Sequence, residues 1–312
     1  MITQTPPRFS AALRGRLDLP LPGHGATADR LLGLAALGRD DLVTARLGEG
    51  HADAVAILAE LDPSHAPAPG DLWGVWAAVP RSLTAVEAGG GWEITGERPW
   101  CSGAGLCTRA LVTAAAPDGI RLFDVDLSAG ATPIDGTWPA VGMSGSDSRT
   151  VRFPRVPARA VGKPGQYVDR PGFWHGGIGV AACWYGGAAG VADTLLDAAR
   201  TRELGPHALA HLGAVDVALS GARTVLLDAA ARIDTDPGAS AELLALRVRA
   251  DVEDAATRVI DHVGRALGAG PLCRDGAHAA RVADLTVYLR QSHAEADLAH
   301  LGGLLVTDEP GW

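Results

Sequence analysis

The sequence predicts an α+β fold in three regions: a short N-terminal helical region over residues 1–71, a middle antiparallel β domain over 72–165, and a C-terminal four-helix bundle over 166–312. Three observations carry this. Apolar residues recur at helical spacing in the first and third regions but form short strand-like blocks in the second. The run Gly89-Gly90-Gly91 separates two such blocks, and glycines supply the positive φ that a tight hairpin needs. The strand blocks follow one another without intervening helices, so a nucleotide-binding Rossmann unit is not expected.

The first region opens on a Pro/Gly-rich lead, LPLPGHG. Two helical patterns follow, one through Leu31, Leu34, Ala35, Leu42 and Leu47, the other HADAVAILAEL. DPSHAPAPG, residues 62–70, reads as a linker. The strand blocks are WGVWAAVP, LTAVEA, WEITGERPW, RALVTAAA, IRLFDVDL and SRTVRFPRV. In the third region, a buried helix preceded by a loop accounts for the 17-residue charge-free run Gly176–Ala192 better than a membrane span does. The next helix carries the stripe Leu212, Val215, Leu219, Ala222, Leu226, Ala230 and Ile233. The third starts with Asp236 as cap and Pro237 at its first position, and buries Val248, Val252, Ala256, Val259 and Val263. The fourth places Val282, Leu285, Leu289, His293 and Ala296 on one stripe. Four such faces bury one another in a bundle.

The net charge of −9 argues against nucleic-acid and anionic-membrane partners. The N-terminal MITQTPPRFS lacks the apolar segment of a signal peptide. Cys101, Cys107, Cys183 and Cys273 have neither CxxC spacing nor a nearby His cluster, so no metal site is expected and they read as reduced thiols of a cytoplasmic protein.

Four segments carry a family resemblance. ITGERPWCSGA resembles the Gly-x-Lys-x-Trp-Ile-(Thr/Ser) segment of the acyl-CoA dehydrogenase superfamily, with Trp100, Cys101 and Ser102 in the Trp-Ile-Thr places. VGMSGSDSRTVRFPRVPA is similar to its Gly-Met-Arg-x-Ser segment and following strand. GGAAGVADTLLDAARTRELG resembles its first bundle helix, and RALGAGPLCRDGAHAARVADL its Gly-Gly-x-Gly loop and Arg-x-x-Arg-Asp. The chain is thus identified as a short, divergent member resembling that superfamily from about residue 30 onward.

The resemblance implies FAD lying between sheet and bundle, against the strand end at Trp100, Cys101 and Ser102. An indole offers the ring a flat apolar face, and a Ser hydroxyl can bond the flavin's N5/O4 edge. It also assigns the flavin Ala78, which stands where the family has a hydroxyl, and Gly268, Ala269 and Gly270 in the loop place. Arg200 and Arg202, though out of register, are the candidates for a pyrophosphate. Ser146, Asp147, Ser148, Trp174 and His175 are candidate substrate contacts; a turn at residues 144–148 and a packed loop at 167–177 are the alternatives. The usual catalytic Glu is missing: its two family places fall at Ser292 and near Val180. His293, read as facing inward, is the available base or else a core histidine satisfied by a neighbouring carbonyl or carboxylate. The expected activity is α,β-dehydrogenation of an acyl-CoA or other acyl thioester. The alternatives are a flavin-dependent monooxygenase of the same fold and a non-catalytic homologue serving as a partner subunit. A homodimer or homotetramer is expected by fold analogy.

Overall fold

The computed structural model describes residues 16–307. The chain divides into two compact units. One comprises the described residues up to Asp18 with 46–140 and 144–173; the other comprises 19–45, 141–143 and the residues from Trp174 on.

The first unit is a seven-stranded sheet: β1 (Trp73–Trp76), β2 (Leu83–Ala88), β3 (Gly91–Cys101), β4 (Arg109–Ala116), β5 (Gly119–Asp126), β6 (Thr132–Ile134) and β7 (Arg149–Val161). Gly89 and Gly90, with φ of 58° and 81°, are the two left-handed residues of the β2–β3 hairpin, as the glycine run predicts. β3 pairs with β7, β7 with β5 and β6, and β5 with β4, all antiparallel. β4 then meets β2, so the path closes on itself.

The expected all-antiparallel sheet is corrected here. β1 pairs with β4 in parallel over Trp73–Trp76, and β2 touches β4 in parallel at Thr84 and Ala115. The β2–β3 hairpin lies between β1 and β4 in the chain, and that long excursion lets β4 return in the direction of β1.

Strand alternation sorts the two faces. Ala110, Val112 and Ala114 of β4 pack with Ile94, Phe123, Val151 and Phe153 in one core. Leu111 of the same strand points the other way, with Leu122 and Val161, where Ala54, Ile57 and Leu58 cover it. Those three residues lie on one face of helix α2 (Leu42–Leu61), which follows α1 (Thr27–Asp40).

Beyond the sheet come the one-turn helix α3 (Gln166–Asp169), then α4 (Pro171–Thr201), α5 (Pro206–Thr235), α6 (Glu242–Leu267), α7 (Ala269–Arg274), α8 (Gly276–Tyr288) and α9 (Glu295–Thr307). The charge-free run lies wholly inside α4, and no helix among the described residues is long and apolar enough to cross a membrane. Its glycines serve close packing. A Cβ at Gly186 would collide with the carbonyl oxygen of Ala35, and one at Gly190 would stand 2.8 Å from that of Arg39. Glycine therefore lets the backbone of α1 lie directly on α4.

Two expectations are corrected. Residues 167–177 are not a loop, because α4 starts at Pro171 and takes Trp174 and His175 into its first turns. Asp236 does not open a helix. It ends α5, with its N–H donating to the carbonyl of Arg232, and α6 starts only at Glu242. A turn closed by the Ala239 N–H on the Asp236 carbonyl uses Pro237 and Gly238 instead. The stripe of α6 is buried at all five expected positions; on α5, Leu212 and Leu219 are half-buried while Ala218 and Ala229 join the core.

Asp234, near the end of α5, holds the lead segment. Its carboxylate accepts from the N–H groups of Gly25 and Thr27, each at 3.0 Å, and from the Thr27 hydroxyl at 2.6 Å. Burial pushes this carboxyl up, but those hydrogen bonds outweigh it and hold it below the ordinary carboxylate range. A depressed folded-state pKa contributes stability above the unfolded value, about 3.9, and that contribution is lost as pH falls through the folded value. Asp234→Ala is therefore expected to unfold at lower temperature than the wild type at pH 7, with the gap narrowing below about pH 4; thermal melts across pH read this. Gly186→Ala is expected to cost about 1–3 kcal/mol through overpacking against Ala35, measured by denaturant unfolding.

Candidate functional site

The end of β3 is irregular. Arg98 pairs with Val151 and Cys101 with Arg149, so three steps on β3 oppose two on β7: a one-residue bulge at Pro99–Trp100. Pro99 has no N–H for the ladder, which makes this the position where pairing lapses. Trp100 takes up the extra residue with a left-handed φ of 60°, and the residue is 60% exposed. Cys101 returns to the core and is fully buried.

The segment that follows is zipped to the loop before β7. The Gly103 N–H donates to the carbonyl of Ser146 at 2.7 Å, and the Ala104 N–H to that of Asp147 at 3.0 Å. The Asp147 carboxylate accepts from the Gly105 N–H at 2.8 Å and pairs with Arg149 at 2.6 Å. Between the two segments runs a chain of hydroxyls: Ser102 to Ser148 at 2.8 Å, and Ser148 to Ser146 at 2.8 Å. All three serines are buried. The Trp76 indole N–H donates to the Ser102 carbonyl at 3.0 Å and so brings the end of β1 to the same place. Gly103, at φ 72°, leaves no room for a Cβ, which would stand 2.7 Å from the Cys107 sulfur.

Backbone strain concentrates here. Among the described residues six that are not glycine have left-handed φ, and three of them are Val79 at 49°, Trp100 at 60° and Asp147 at 48°. Such conformations cost of order 1–3 kcal/mol each and cluster where a site is held in a set geometry. For the β-branched Val79, just after Ala78, the conformation is a true outlier. Arg98 adds a buried charge behind the bulge. Its guanidinium donates to the carbonyl and hydroxyl of Thr113, and burial brings its pKa down to about 10, so it stays cationic at neutral pH.

In the second unit, Gly142 and Met143 are fastened to α8. The Met143 N–H donates to the Asp284 carboxylate, and a Cβ on Gly142 would collide with the carbonyl oxygen of Ala283. Burial raises the Asp284 pKa, with the Met143 N–H acting against it. Sequence reasoning placed the Gly-Met and Arg-Asp motifs separately; it missed that one grips the other.

Trp100, Cys101, Ser102, Ser146, Asp147 and Ser148 are therefore brought together, with Ala78 exposed two residues beyond Trp76. Arg200 lies in the last turn of α4, Arg202 beyond its end, and Gly268, Ala269 and Gly270 at the joint of α6 and α7, all in the second unit. His175 is buried and Trp174 half-buried in that unit.

The inward placement of His293 is corrected. α8 ends at Tyr288, a 3₁₀ turn follows, and α9 starts at Glu295, so no continuous stripe reaches residue 293. The imidazole is 78% exposed, with Nδ1 3.2 Å from the Asp297 carboxylate. The cause is local capping. The Ser292 hydroxyl accepts from the Ala294 N–H, the Asp297 carboxylate accepts from the His293 N–H, and Ala294 turns left-handed at φ 47°.

Two residues fit a flavin ring: an exposed indole at the strand end and a hydroxyl two residues on. No protein-family model matches the sequence, and no curated protein matches it. Solved structures do. Dibenzothiophene monooxygenase TdsC from Paenibacillus sp. A11-2 is 19% identical with a TM-score of 0.78, covering 97% of this chain and 92% of its own. The same enzyme is known in complex with FMN and indole. XiaF from Streptomyces sp., in complex with FADH2 and glycerol, is 20% identical with a TM-score of 0.80 over 98% of this chain and 90% of its own. Methanesulfinate monooxygenase MsuC from Pseudomonas fluorescens is 18% identical with a TM-score of 0.79 over 98% and 92%. The chain thus has the acyl-CoA dehydrogenase-like fold, with a helical C-terminal region, as the four motifs imply.

The thiols beside the site are inert by design of their surroundings. Burial pushes the Cys101 thiol far up; it pushes Cys107 up to about 12, against the pull of Arg46. A thiol of pKa about 12 is ionised in about one molecule in 10⁴ at pH 8. In the native protein a disulfide reagent is expected to label the exposed Cys273 quickly and the other cysteines only on unfolding. Rapid labelling of Cys101, read by peptide mapping, would contradict the buried strand end.

Proposed function

We propose that this chain is a flavin-dependent monooxygenase acting on a small organic substrate. The observation that carries the reading is the strained, exposed Trp100 followed by the buried hydroxyl chain at Ser102: the backbone strain is held at a position that leaves a large indole open to solvent. Its support is twofold. Solved structures of this fold include proteins named as monooxygenases. Dehydrogenation of an acyl thioester needs a carboxylate base, and the two family places for one fall at Ser292 and near Val180, neither acidic.

A bound reduced flavin supplies two electrons, which with O2 and two protons put one oxygen atom on the substrate and release the other as water. The residues of the chain do the rest. Trp100 offers its indole face to the isoalloxazine and orients it. Ser102 would hydrogen-bond the N5/O4 edge, and Ser148 and Ser146 hold its hydroxyl oxygen in place. The zipped backbone of 103–105 keeps the strand end from closing over the ring. Asp147, itself held by Arg149, keeps the loop in place. FAD is the flavin the resemblance implies, and a homodimer or homotetramer the assembly.

Ser102→Ala is expected to weaken flavin binding about tenfold, the loss of one hydrogen bond, and Trp100→Ala to weaken it at least as much. Quenching of tryptophan and flavin fluorescence reads both. With reduced flavin the wild type should bind and consume O2 in step with an added substrate such as indole. Acyl-CoAs should leave bound oxidised flavin unbleached under anaerobic conditions. Bleaching by an acyl-CoA would replace this reading with the dehydrogenase; absence of any flavin binding would remove both.

A further inference from the structure

The helix α5 carries His207 and His211, four residues apart near its start, and α6 carries His262 near its end. The Nδ1 atoms of His211 and His262 are 2.9 Å apart, with ring centroids 5.1 Å apart and the planes tilted by 47°. Both residues are half-buried, and His207 is exposed.

As neutral rings, one of the pair donates and the other accepts. The spacing has a second meaning. Two imidazole nitrogens about 2.05 Å from one metal ion, at a right angle to each other, stand about 2.9 Å apart. The pair thus has the separation of adjacent ligands in an octahedral or square-planar shell. A modest opening of the rings reaches the tetrahedral value. His207 lies one turn before His211 on the same helical face, the His-x-x-x-His spacing by which one helix presents two imidazoles to one ion. No group of three such side chains is already assembled among the described residues, so the pair would be the anchor and a third nitrogen would have to come from rotation of the exposed His207.

We propose that His211 and His262, completed by His207 and water, form a site for a divalent transition-metal ion that clamps α5 to α6. All-nitrogen donors select Ni²⁺, Cu²⁺ or Zn²⁺ over Mg²⁺ and Ca²⁺, which take oxygen. Asp261, next to His262 in the sequence, is engaged with Arg265 at 2.9 Å, so its charge is already matched. The clamp joins positions 51 residues apart across the turn between the two helices and makes no use of the flavin site.

The test is calorimetric titration of tag-free, EDTA-washed protein with Zn²⁺ and Ni²⁺, with thermal melts of the same samples. The expected result is one ion per chain and a rise in Tm that EDTA reverses. His211→Ala and His262→Ala should each lose both signals, and His207→Ala should weaken binding without abolishing it. Because the paired residues are only half-buried, the variants should keep the wild-type circular dichroism; His262→Gln is the shape-conserving check. Electron paramagnetic resonance of the Cu²⁺ complex should show two or three coordinated nitrogens. No heat and no Tm shift in the wild type would overturn the site. So would binding that persists in the His211→Ala/His262→Ala double variant.

Discussion

Pro99 cannot donate to the sheet ladder, and the geometry of the candidate site follows from that lapse. Side chains on a strand alternate, so one inserted residue exchanges the faces of everything after it. With the bulge, Trp100 points out and Cys101 points into the core. Ser102 then meets Ser148, and the backbone of 103–105 meets that of Ser146 and Asp147. Without it the thiol would be exposed and the indole would compete for core space already filled by Ile94, Phe153 and their neighbours. Left-handed Trp100 and Asp147 are retained because the surrounding hydrogen bonds over-determine them, among them those from the Trp76 indole and to the Asp147 carboxylate.

Much of this was legible in the residues. The β2–β3 turn follows from Gly89-Gly90, because few other residues take two consecutive positive φ values. The stripe of α6 follows from period alone, since a helix with one apolar face has one way to bury it. The parallel pairing of β1 with β4 was not legible, because alternation says which face a residue takes and not which neighbour a strand chooses. His293 was misplaced by the same rule that placed Val263. The periodicity through Leu285 and Leu289 runs on to residue 293, but Ser292 and Asp297 offer the backbone local hydrogen bonds that a helix interior cannot match. A packed loop over 167–177 is one reading the sequence offers for Trp174 and His175; Pro171 is instead the first residue of a helix, where its missing N–H costs nothing.

At the site, the segments 100–102 and 146–148 were marked for separate reasons, one for its small residues after an indole, the other for its polar turn. Their meeting is a tertiary fact, set by the register of β3 on β7. Arg98 sits inside the strand block WEITGERPW, and nothing in that pattern marks it as buried; only the Thr113 carbonyl and hydroxyl, fifteen residues away, show why it can stay inside. Asp284 reads from the sequence as the Asp of the Arg-Asp motif; that Met143, 141 residues earlier, donates to it is visible only in the fold.

The three serine hydroxyls have a polarity as a row. Each O–H can donate to only one neighbour, so Ser102, Ser148 and Ser146 point in one sense or the other along the line. Turning the row reverses what Ser102 shows to a bound group, from a hydrogen to a lone pair, while every carbon, nitrogen and oxygen stays in place. A ring edge that accepts a hydrogen bond in one oxidation state and donates one in the other can then be matched in both. Proton rotation alone would carry the adjustment, and a strand end holding such a ring would have no need to move.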